Sequence, residues 1–114
     1  MSVVAPCITA ETPELFRMAI EKVQNFAERV HVDISDGEFT PNFLLGLNQI
    51  WWPQNWQVDA HLMAKRPSEY VQQLIAMKPS LIILHVESAE NIIPSLDMIR
   101  TAYRDWETDR KSVV

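Results

Sequence analysis

The chain has 114 residues, 47% of them hydrophobic and 22% charged, with a net charge of −5. That length and balance describe one globular domain and exclude a wholly disordered chain. An acidic chain without a basic run is a poor match for nucleic acid or an anionic membrane, and no apolar run reaches the roughly 18 residues of a membrane span.

The first residues, Met1-Ser2-Val3-Val4, carry no basic segment of a signal peptide. The single cysteine, Cys7, cannot close an internal disulfide, so a reducing cytoplasm is the expected location. Residues 2–8 are short and apolar and predict a first strand with Pro6 near its end. Thr12-Pro13-Glu14 predicts a helix start, with a hydroxyl cap, a proline at the first helical position and an acid in the first turn. Leu15, Met18, Ala19, Val23 and Phe26 then form one apolar helical stripe, read as core packing.

Residues 29–35 alternate, with Val30, Val32 and Ile34 on one face and His31, Asp33 and Ser35 on the other, which is a strand period. Asp36-Gly37 follows as a turn. The stretch from Phe39 to Trp56 has room for one short helix around Leu47–Trp52. Its tryptophans, Trp51, Trp52 and Trp56, are expected to cover the outside of a sheet.

Residues 57–63 alternate again, Val58, Ala60 and Leu62 against Asp59, His61 and Met63. Arg66-Pro67-Ser68 opens a helix with Tyr70, Val71, Leu74 and Ile75 as its stripe, and Lys78-Pro79 ends it. Residues 81–87 form a near-continuous apolar run, expected to be a strand covered on both faces. Pro94 to Tyr103 predicts a last helix, with Leu96, Ile99 and Tyr103 on one side. The resulting βαβαβαβα order points to a parallel α/β architecture.

Two neighbouring strands thus each carry a histidine and an aspartate on one face. Same-face neighbours lie about 6.5–7 Å apart at their Cα atoms, close enough for their side chains to converge on one ion. Crossover helices cover the apolar face of a parallel sheet, so the polar face turns to the other side, the interior of a barrel. Inward histidines and acids need pairing, hydrogen bonds or a metal. His31, Asp33 and His61 are candidate ligands of a divalent metal, and His85 and Glu87 add a further polar pair on the fourth strand.

These residues carry a resemblance. The run His31-Val32-Asp33-Ile34-Ser35-Asp36-Gly37-Glu38-Phe39-Thr40-Pro41-Asn42 resembles the second-strand signature of ribulose-phosphate 3-epimerases. Val58-Asp59-Ala60-His61-Leu62-Met63 resembles the third-strand signature, and Ala5-Pro6-Cys7-Ile8 and Leu84-His85-Val86-Glu87 fall in the family's order. The likeness spans about residues 3–104, roughly the first half of that fold.

The resemblance implies a (β/α)8 TIM barrel, present here as a half-barrel of four βα units, since a complete barrel needs roughly 200 residues or more. It implies interconversion of D-ribulose 5-phosphate and D-xylulose 5-phosphate through an enediolate. One carboxylate takes a proton and a second acid returns it on the opposite face. A divalent cation, zinc, iron, manganese or cobalt, assists. Carried over by position, His31, Asp33 and His61 match metal ligands, and Asp33 is also the acid–base residue. Cys7 and Met63 match substrate-contacting positions, and His85 and Glu87 are candidate site-lining residues. Asp36 and Gly37 are expected to shape the turn, and Asp59 matches the pattern without a catalytic role.

Three positions depart from that pattern. Cys7 stands where the family has serine, Ser35 where it has a methionine, and Glu38 where it has a histidine. The second acid–base aspartate belongs to strand seven of the family, so the 114-residue chain is expected to lack epimerase turnover and to self-associate through open sheet edges. Residues 1–104 are expected to form the half-barrel and 105–114 a tail outside the family pattern. Asp109-Arg110-Lys111-Ser112-Val113-Val114 is what one frame of a common sequencing adapter encodes before a stop codon, so read-through of technical DNA is expected, with a natural charged tail as the alternative. Two other functions stay open: a decarboxylase or aldolase on a phosphate-binding barrel, disfavoured because Asp33-Ile34-Ser35-Asp36 offers no lysine, and a non-catalytic half-barrel module.

Overall fold

The computed structural model describes residues 5–24, 29–38 and 44–112, with side chains through Trp106. Four parallel strands form one sheet in chain order: β1 (Cys7–Ile8), β2 (Arg29–Ser35), β3 (Gln57–Met63) and β4 (Leu81–Ile83). The helices are α1 (Pro13–Val23), α2 (Ser68–Ala76) and α3 (Ile93–Ser112). The architecture is an α/β half-barrel.

The register follows from alternation. On β2, Val30, Val32 and Ile34 are buried, and on β3 so are Val58, Ala60 and Leu62. These six residues face the helices and form the core with Ile8, Phe16, Ile20 and Leu74. The parallel register pairs Asp33 with His61, His31 with Asp59 and Ser35 with Met63. The polar residues therefore stand in rows across the opposite face.

Helix α1 starts where expected, with Thr12 Oγ1 accepting the Leu15 N–H at 3.1 Å. The predicted stripe needs correction. The helix buries Phe16, Ile20 and Val23, whereas Leu15 and Met18 are about half exposed. Apolar residues cover a face of this helix wider than one row, with Glu14, Arg17 and Glu21 opposite, and packing selects the row that brings the Phe16 ring onto the sheet. Phe26 lies outside the described residues.

Between β2 and β3 the expected helix is a single 3-10 turn, Leu47–Gln49. Trp56 is buried and Trp52 packs on the core, while Trp51 is half exposed and meets the Phe16 ring edge-on at 6.1 Å. Helix α2 has no side-chain cap of its own from Pro67. Glu90 supplies one from the loop after β4, accepting from Ser68 N at 2.7 Å and Ser68 Oγ at 3.0 Å. The chain leaves α2 through Lys78 in a left-handed conformation (φ 57°).

The fourth strand also differs from expectation. It ends at Ile83 rather than Glu87, and Leu81 is 43% exposed. An apolar run needs two covered faces only inside a sheet. Here β4 is the last strand, and its inner face looks into the open side of the half-barrel. Helix α3 runs past Tyr103, and Trp106 continues it with its ring 4.7 Å from that of Tyr103.

Candidate active site

The alternation that buries valines on β2 lifts His31 and Asp33 onto the inner face, and β3 places His61 opposite Asp33. The Asp33 carboxylate is the hub. Its Oδ1 lies 3.1 Å from His31 Nε2 and 3.0 Å from His61 Nδ1. Its Oδ2 accepts from Thr9 Oγ1 at 2.7 Å and from Cys7 Sγ at 3.2 Å.

This surrounding sets the charge. Burial pushes the Asp33 carboxyl up, but hydrogen bonds from Thr9, Cys7 and His61 and the field of His31 outweigh it, so its pKa falls below the usual carboxylate range. Asp33 is held ionised. Burial is also the main reason that the Cys7 thiol is raised, with the Asp33 charge adding to it and a hydrogen bond from Thr9 opposing it. Cys7 therefore stands as a thiol beside the carboxylate.

The imidazoles form a connected row. His61 Nε2 lies 2.6 Å from His85 Nε2, and the His31 and His61 rings meet edge-on with centroids 5.3 Å apart. With carboxylate Asp33 as acceptor, Nδ1 of His61 carries the shared proton, which leaves Nε2 of a singly protonated ring to accept from His85. His85 sits just beyond β4, and its Nδ1 is 3.7 Å from Glu87 Oε2. The Glu87 side chain is 71% exposed and stands at the outer end of this row. Met63 is half-buried, one same-face step beyond His61 and level with Ser35.

The donor set suits a small cation. Ligand atoms of Cys7, His31 and Asp33 all lie within 4.8 Å of one another. Two ligands of a tetrahedral zinc sit about 3.3–3.8 Å apart, given bonds of roughly 2.0–2.3 Å. His61 joins the hub through Asp33 but lies outside that tightest group.

Sequence reasoning missed two contributors. Thr9 falls two residues after Cys7, so the same strand period would have placed it on the inner face. Asp59 has a structural partner: Arg29 grips it with Nε 3.1 Å from Oδ2 and Nη2 3.2 Å from Oδ1. The turn reading of Asp36-Gly37 holds. Asp36 Oδ1 accepts from Glu38 N at 2.9 Å and Oδ2 from Lys65 N at 3.0 Å, tying the loops after β2 and β3, and Gly37 takes φ 78°.

A model of the ribulose-phosphate 3 epimerase family matches residues 3–104. Among curated proteins, the chain is 29% identical over 102 residues to the ribulose-phosphate 3-epimerase of Helicobacter pylori, covering 87% of this chain and 46% of that protein. It is 34% identical over 77 residues to the enzyme of that name from Chlamydia muridarum, covering 65% and 34%. It is 31% identical over 83 residues to a rice (Oryza sativa) protein named as the cytoplasmic isoform, covering 70% and 36%. The chain spans less than half the length of these relatives. Among the described residues no helix is long and apolar enough to cross a membrane. With the family model matching residues 3–104 of the chain, and the described residues of that match forming parallel βα units, the chain belongs to the ribulose-phosphate 3-epimerase family.

Proposed function

We propose that this chain carries the metal-binding half of an active site that interconverts D-ribulose 5-phosphate and D-xylulose 5-phosphate. One observation supports this reading above the others: an ionised Asp33 at the centre of His31, His61, Thr9 and Cys7. His31, Asp33 and His61 would hold a divalent cation of the zinc, iron, manganese or cobalt kind. When bound, such a cation supplies positive charge against the negative charge that an enediolate develops.

The residues divide the remaining work. Asp33 is the base that takes the proton from the carbon beside the ketone, with its carboxylate oriented by Thr9 on one oxygen and His61 on the other. His85 lines the site beside His61 and gives up its contact with His61 Nε2 when that nitrogen turns to the cation. Cys7 and Met63 flank the substrate, and Asp36 keeps the two loops above the site in register. The sugar phosphate is the partner proposed for the whole protein, and the cytoplasm its location. The outer edges of β1 and β4 suit self-association.

One base is sufficient for the first half of the reaction. In deuterium oxide, the chain supplied with a divalent cation should replace the C3 hydrogen of D-ribulose 5-phosphate by deuterium, read as loss of that proton's NMR signal. Asp33→Asn should abolish the exchange. Exchange indifferent to Asp33, or none above metal-containing buffer, would refute the proposal.

A further inference from the structure

Cys7 is the only cysteine in the sequence, and it stands in the innermost ring of the site. Strand register places it beside His31. Its Sγ is 3.2 Å from Asp33 Oδ2, and sulfur, imidazole nitrogen and carboxylate oxygen all fall within 4.8 Å of one another. The Cys7 side is also the accessible one, since Cys7 is exposed. On the other side of the hub, His61 directs its Nε2 into His85 at 2.6 Å, so that nitrogen is already engaged.

The positions resembling the family's pattern offer oxygen and nitrogen donors, with serine where Cys7 stands here. A hydroxyl is a weak ligand, whereas a thiolate is a strong and soft one. We propose that Cys7 Sγ is itself a ligand of the bound cation, together with His31 and Asp33, and that this turns the site toward zinc and cobalt and away from manganese. On coordination the S–H bond breaks, its proton passes to solvent, and the sulfur lone pair forms the bond to the metal. Asp33 Oδ2 then loses its thiol donor and keeps Thr9. This inference rests on the metal-binding reading above.

The test is a cobalt(II) titration of the whole chain followed by absorption. Cobalt in the site gives visible d–d bands, and a thiolate ligand adds a sulfur-to-cobalt charge-transfer band in the near ultraviolet. The wild-type chain is expected to show both. Cys7→Ser and Cys7→Ala should keep the visible bands and lose the near-ultraviolet one, and the preference for zinc over manganese should fall at least tenfold in Cys7→Ser. Visible bands without charge transfer in the wild-type chain would overturn the role of Cys7 and leave the metal site standing. A charge-transfer band that survives both His31→Ala and Asp33→Ala would show the thiol acting elsewhere, and would also overturn it. Neither band in the wild-type chain would overturn this inference together with the metal-binding reading.

Discussion

Asp33 Oδ1 and His61 Nδ1 meet at 3.0 Å across the β2–β3 pair, where parallel register sets the two residues side by side. The contact joins the two halves of the candidate site. It also ties the ionisation of Asp33 to the fold, because the groups that lower its pKa come from β1, β2 and β3 and from Thr9 just beyond β1.

That link predicts acid sensitivity. Asp33 is depressed in the fold, so its ionised form adds stability above the ordinary carboxylate pKa of about 4, and this stability is lost as pH falls through the lower folded value. Asp33→Asn should show a shallower loss of stability than wild type below about pH 4. Urea melts at stepped pH check it, and equal slopes would contradict it.

The Arg29–Asp59 pair predicts a structural defect rather than a chemical one. Asp59 is 6% exposed and depends on the guanidinium fork. Arg29→Ala should cost about 1–3 kcal/mol by stranding a charged acceptor. Arg29→Lys should recover only part, because an ammonium cannot present two parallel donors. The double variant Arg29→Ala/Asp59→Ala should lose less than the sum of the single losses. Denaturant unfolding of wild type, the two Arg29 variants, Asp59→Ala and the double variant reads the cycle.

Helix α1 offers a paired test of its buried face. Phe16 is 1% exposed, and Phe16→Ala should cost roughly 3–5 kcal/mol. Leu15→Ala, one residue away and half exposed, should stay within about 0.5 kcal/mol of wild type. Similar losses would place the core on the other face.

Tyr103 predicts a loss of stability in alkali. Its hydroxyl donates to the Pro79 carbonyl, and burial pushes its pKa up to about 12. A raised folded value means that the neutral phenol's contribution is complete below the ordinary pKa of about 10 and declines as pH climbs toward the folded value. Tyr103→Phe should flatten the fall in stability between those limits, measured by thermal melts from pH 9 upward.

Much of the fold was legible because alternation is a local signal. Val30, Val32 and Ile34 against His31, Asp33 and Ser35 determine both the strand and its faces, and Thr12-Pro13 marks a helix start by itself. The faces of the candidate site were legible for the same reason: His31 and Asp33 share the β2 period, and His61 follows that of β3, where the parallel register sets it opposite Asp33. What escaped depends on distant partners. Phe16 rather than Leu15 faces the core because the sheet lies on that side. Leu81 is exposed because β4 is an edge. Glu90 caps α2 from 22 positions further along the sequence, beyond β4, and no local pattern signals it. Trp106, in the stretch expected to fall outside the family pattern, finds the Tyr103 ring one helical turn back.

The most direct measurement is anomalous diffraction from crystals of the chain grown with zinc. One peak should sit within about 2.0–2.3 Å of ligand atoms of His31 and Asp33, with His61 turned toward it. Zinc bound only at other residues, or those imidazoles pointing away from a metal held elsewhere, would contradict the account.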